Sequence, residues 1–111
     1  MSQNPGVGLN SGTITVNTKT PLTALTPTYA TVGVASAQVL AANALRKGCV
    51  FVNTSANNIS FGIGANAAVA GSGITLTPNG VWDMSEYDYV TSAVNAIASG
   101  ANSNLTIQEF Q

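Results

Sequence analysis

The chain has 111 residues, of which only 6% are charged (three Lys or Arg, four Asp or Glu, no His) and 45% are hydrophobic, for a formal net charge of −1. This is one domain's worth of chain, and its low charge argues against a disordered segment. Three scattered cations cannot supply the clustered phosphate contacts of a nucleic-acid binder, so no nucleic-acid partner is expected. The longest apolar runs, CVFV and AAVA, are far short of the roughly 20 residues of a spanning helix, so no membrane is expected either.

The N-terminal MSQNPGVGLNSG lacks the basic and apolar regions of a secretory signal. A single cysteine, Cys49, rules out an intrachain disulfide. Without His, the side chain best suited to proton transfer near neutral pH is missing, and nothing could activate Cys49 as an imidazole would. Zinc ligation by Cys and His is excluded by count. Asp83, Glu86 and Asp88 could pair as carboxylates, but so short a chain leaves little material for a substrate cleft around them. The expectation is a protein that is not an enzyme and carries no cofactor and no metal.

Residues 1–12 contain Pro5, Gly6, Gly8 and Gly12 and almost nothing to bury, which predicts an extended arm that lies on something else. The arm's Asn4, Pro5, Val7 and Leu9 are candidate partner contacts. From Thr13 the pattern has period two: Ile14 and Val16 alternate with Thr13, Thr15 and Asn17, predicting a half-buried strand. Pro21 and Pro27 favour an irregular connection, after which Ala30, Val32 and Val34 share one face of a second strand. The Ala-rich residues 35–48 have helix-forming composition and a terminal glycine, yet Gln38, Val39 and Leu40 also suit a strand; the extended, turn-containing reading is adopted.

The strongest element is GCVFVNTSANNISFGIG, a strand, turn, strand unit in which Val50 and Val52 alternate with Cys49, Phe51 and Asn53, and Ile59, Phe61 and Ile63 return. GANAAVAGSG reads as a flexible small-residue turn, ITLT as a short strand, and Thr77-Pro78-Asn79-Gly80 as a tight turn before VWDM. VNAIA and LTIQEF alternate again around SGANSN. About seven or eight short antiparallel strands without a convincing long helix predict an all-β chain, with residues 13–111 forming one β-sandwich or jelly-roll-like domain. Its strand edges are rich in Thr, Asn and Ser but poor in charge, the usual protection against edge-to-edge association.

Three constellations invite a functional reading. VWDMSEYDY gathers Trp82, Asp83, Glu86, Tyr87 and Asp88, where aromatic faces beside carboxylates would suit a glycan; the competing reading puts Trp82 in the core and the acids at a corner. Calcium would need a ligand spacing that these acids do not show. The glycines at 62, 64, 71 and 73 fail the dinucleotide pattern, since Ala67 stands where its third glycine would be. Arg46-Lys47, the one cationic pair, reads as a solvated corner or as a contact to an acidic neighbouring subunit.

The segments VLAAN at 39–43, Arg46-Lys47, VFVN at 50–53, FGIG at 61–64, GSGITL at 71–76 and PNGVW at 78–82, with the tail VNAIASGANSNLTIQEF, resemble a class of small tailed-phage virion proteins over roughly residues 31–110. The resemblance implies a β-sandwich component of the virion, a capsid decoration or cement protein, or a fibre or tail-associated protein. It implies no catalytic residues and transfers no site. The expected location is the virion, assembled in the host cytoplasm. The expected partners are the major capsid protein and copies of the chain itself, a homo-oligomer such as a trimer. Two functions follow from different classes: a structural module using residues 1–12 as a clamp, and a receptor-binding module contacting host glycan through the Trp82 segment.

Overall fold

Alternating apolar residues form strands in the computed structural model, which describes residues 21–111; the expected arm at 1–12, with Asn4, Pro5, Val7 and Leu9, and the expected strand at 13–17 lie outside the described residues. The eight strands are β1 (Thr28–Val32), β2 (Ala37–Leu40), β3 (Gly48–Asn53), β4 (Ile59–Ile63), β5 (Thr75–Leu76), β6 (Val81–Met84), β7 (Val94–Ala98) and β8 (Ser103–Phe110). No helix occurs among the described residues.

Two four-stranded sheets have the orders β1-β8-β3-β6 and β2-β7-β4-β5, and every pairing is antiparallel. β1 pairs with β8, β2 with β7, β3 with β6 and β4 with β5, so the chain is one long hairpin rolled so that successive pairs fall in alternate sheets. That is the strand order of a jelly roll.

Between the sheets, Cys49, Phe51, Met84, Leu105 and Ile107 of the first meet Ile59, Phe61, Leu76, Val94, Ala96 and Ala98 of the second. Phe51 stacks on Trp82 with ring centroids 4.9 Å apart at 17°, and Phe61 tilts against both rings at 5.2 and 5.1 Å. Offset and tilted pairs of this kind add about 0.5–1.5 kcal/mol each beyond their area burial.

Strands β3 and β4, the turn at 77–80 and the two C-terminal strands stand where the alternation and turn residues put them, but β3 and β4 do not pair with each other: the connection between them crosses from the first sheet to the second. Asn79 adopts φ 67°, and the Gly80 N–H closes the turn on the Thr77 carbonyl at 2.8 Å. Residues 35–48 contain no helix: β2 half-buries Val39 and Leu40 against the core, and a turn follows in which the Asn43 side chain accepts the Leu45 N–H. Val34 does not join Ala30 and Val32, because β1 ends at Val32; the Val34 side chain is 63% exposed.

The run at 64–74 differs most from expectation. It folds back over the outer face of the second sheet as a fastened strap. The N–H groups of Ala68 and Gly71 donate to Ser36 Oγ at 2.8 Å and Ser60 Oγ at 2.9 Å, and Asn95 Nδ2 donates to the Asn66 carbonyl at 2.8 Å. Gly62 is required beneath it, since a Cβ there would lie 2.5 Å from the Asn66 carbonyl oxygen. Gly71, at φ 75°, turns its N–H onto Ser60 in a conformation that few other residues adopt.

Candidate functional site

Of the cationic pair, only Lys47 is exposed. Arg46 is 1% exposed, so it is neither a solvated corner nor accessible to a neighbouring subunit. Its Nε donates to Glu109 Oε2 at 2.7 Å, its Nη1 to the carbonyls of Val90 and Ser92 at 2.8 Å each, and its Nη2 to the Ala41 carbonyl. Asn43 Nδ2 donates to the same carboxylate oxygen at 3.0 Å. The carbonyl acceptors lie in the β2–β3 and β6–β7 connections, where the chain crosses between sheets at this end, and the carboxylate lies on β8. A planar guanidinium with five fixed donors can satisfy several carbonyls at once, which a lysine ammonium could not match in geometry.

The VWDMSEYDY segment does not form one surface. Trp82 turns inward onto Phe51 and Phe61, while Asp83, next on the same strand, faces outward beside Val50. Asp88 Oδ1 accepts the N–H and hydroxyl of Ser85 at 2.7 and 2.9 Å, closing a turn. Tyr87 is 84% exposed and Glu86 is half-buried. Trp82, partly buried against the core aromatics, is therefore separated from Asp83 by strand alternation, and the most exposed aromatic beside the acids is Tyr87. No group of three or more His, Cys, Asp or Glu placed to hold a metal occurs among the described residues.

Cys49 is fully buried, and desolvation pushes its pKa from 9.0 up to about 12, against a smaller lowering by the Arg46 charge. The thiol is thus a packed, protonated side chain.

The surface that does assemble is the outer face of the first sheet. Register aligns Tyr29, Thr106, Val52 and Val81 in one row across four strands, and Gln108, Val50 and Asp83 in the next. A groove of about 410 Å³ opens there over Val50, Val52 and Thr106, with Pro27 and Tyr29 among its lining residues and no charged side chain. Tyr29 is 71% exposed. Strands β1, β2 and β5, three of the four sheet edges, carry no charged residue, and β6 carries only Asp83.

Sequence reading did not single out this face, although its signal was present. Val50 and Val52 were visible as an alternating pair, but the pattern CVFVN has candidates for burial on both faces.

The fold and this face together define an all-β jelly-roll module with one outer face covered by residues 64–74 and one that, among the described residues, no segment crosses. Comparison with protein-family models, with curated proteins and with solved structures found no match.

Proposed function

We propose that the protein is a non-enzymatic structural component of a tailed-phage virion, a capsid decoration or cement module that bridges capsid subunits. The observation that carries this reading is the almost uncharged outer face of the first sheet, which no described segment crosses and which is bounded by β1, without charge, and β6, with Asp83 alone. Such a surface favours association, and a cement protein joins rigid neighbours over areas of about 1,200–2,000 Å². Jelly rolls recur in viral capsid proteins and in lectins; because one fold hosts many functions, this analogy lends support only beside the surface argument. The partners are the major capsid protein and further copies of the chain, with residues 1–12 as the clamp.

The copy number per purified particle, measured by quantitative peptide mass spectrometry against the major capsid protein, tests the assignment. Hundreds of copies in simple ratio to that protein are expected. A few to a few dozen would replace the cement role with a fibre or tail position, and absence from particles would overturn the virion reading. Deleting residues 1–12 should abolish attachment while leaving thermal unfolding unchanged; full occupancy by the truncated chain would overturn the clamp.

A further inference from the structure

We infer that the free edge of β6 is where a second copy of this chain docks, its own β6 pairing antiparallel across a two-fold axis at Trp82. The inference deepens one part of the proposed function, association between copies of the chain, and rests on that part alone.

Hydrogen-bond alternation fixes what the edge offers. Asn53 donates its N–H to the Gly80 carbonyl at 2.9 Å and accepts the Asn79 N–H at 2.7 Å, while Thr54 donates to the Asn104 carbonyl of β8 at 3.2 Å. Successive residues of an antiparallel strand bond to opposite neighbours, so Phe51 and Cys49 bond to Trp82 and Met84, and Val50 and Val52 bond to β8. The N–H and C=O groups of Val81 and Asp83 therefore point away from β3, and no described residue bonds to them. A row of such groups is a template for another extended strand. The other edges are poorer templates. β5 is two residues long, β2 has an irregular register between Gln38 and Leu40, and β1 ends at a 2.8 Å bond from the Ala98 N–H to the Gly33 carbonyl that ties it to the second sheet.

A second copy fits because β6 is complementary to itself. An axis at Trp82 sets Val81 opposite Asp83 of the second copy and Asp83 opposite Val81 of that copy, so each free N–H and C=O finds a partner. The two carboxylates are then diagonal neighbours, about 7–8 Å apart, instead of facing each other. An axis at Asp83 would set them directly opposite. An axis at Val81 would bring Asp83 to Asn79, whose N–H is already given to Asn53. Trp82 is only partly buried in one copy. Across the axis it meets Trp82 of the second copy as a close pair, with about 4.5–5.5 Å between Cβ atoms, so the same pairing covers the exposed part of both indoles.

Sedimentation equilibrium of the full-length chain tests this, with the fluorescence of Trp82, the only tryptophan, as a second readout. One short strand pair buries less than the roughly 1,200 Å² of a stable complex, so a monomer–dimer midpoint on the order of 100 µM is expected, with emission moving to shorter wavelength as the dimer forms. Val81→Pro removes a donor at an edge position that tolerates proline and should weaken association about tenfold. Asp83→Asn removes the diagonal repulsion and should tighten it about two- to fivefold, a gain that no misfolded variant would give. A chain that stays monomeric up to about 1 mM would overturn the inference. So would a dimer indifferent to Val81→Pro, or one that Asp83→Asn does not tighten. The copy number per particle is a separate measurement, so failure here and failure of the virion reading are told apart.

Discussion

The two outer faces of the roll are built from the same kind of strand and end in different states. On the second sheet, Ser60 and Gly62 are buried beneath residues 64–74, which are fastened by Ser36, Ser60 and Asn95. On the first sheet, Val50 and Val52 are only half-buried and no described segment crosses them. The covered face bears a glycine and a serine where the open face bears two valines. Small polar residues let a backbone approach and anchor it, whereas the valines present apolar surface. Burial thus follows from what can lie on a strand as well as from its own hydrophobicity.

Arg46→Met should break the comparison altogether, because Arg46 ties together two of the connections that cross between the sheets, β2–β3 and β6–β7. Loss of the guanidinium leaves three carbonyls without this donor and the Glu109 carboxylate without its charge partner, held only by the Asn43 amide among the hydrogen bonds described. A destabilisation of about 3–5 kcal/mol is expected in chemical denaturation, with both faces losing amide protection together.

Gly62→Ala should convert the closed face towards the open one. The added Cβ meets the Asn66 carbonyl oxygen at 2.5 Å, so the strap has to lift, at a cost of about 1–3 kcal/mol. Hydrogen exchange should accelerate at Ala68 and Gly71 and stay unchanged at Phe51. Equal acceleration at both places would show that the strap and core open as one unit.

The comparison sharpens under alkali, since Cys49 lies directly beneath the open face. Its thiol ionises near 9.0 when unfolded and near 12 when folded. Between those values the unfolded chain binds fewer protons, so stability falls as pH rises, by up to about 1.4 kcal/mol per pH unit for this group, and is unaffected by it below them. Cys49→Ala should flatten that slope although it costs packing. An unchanged slope would mean that water reaches the thiol and that the open face is leaky.

The smallest effect belongs to Val52→Thr on the open face, expected within about 0.5 kcal/mol of the parent in denaturant titration. Phe51→Ala, one residue away on the inner face, should cost about 3–5 kcal/mol. Comparable losses for the two would show that the outer face is packed as tightly as the core.

Much of the architecture was legible residue by residue. The two strands between Gly48 and Ile63, the Asn79-Gly80 turn and the alternation of VNAIA and LTIQEF are local signals, and all became strands and turns at those places, although the strands at 48–53 and 59–63 went to different sheets. The candidate site was far less legible. In CVFVN either face could have been the inner one, and only the stacking of Phe51 against Trp82 and Phe61 chose it. Arg46 looked exposed because charged side chains usually are. Its acceptors, at Val90, Ser92, Ala41 and Glu109, are contributed from up to 63 positions away in the chain. The strap looked flexible because small residues without periodicity carry no sign of the serines that will hold them.

The sequence by itself determined that the chain is all-β, poor in charge and without histidine, because strand alternation, turn chemistry and composition are properties of neighbouring residues. Tertiary structure decided which valines face outward, that an arginine is buried and that one outer face is covered. Those outcomes depend on which distant strands meet, and rolling the chain as a single long hairpin brings together residues whose pairing no local pattern encodes.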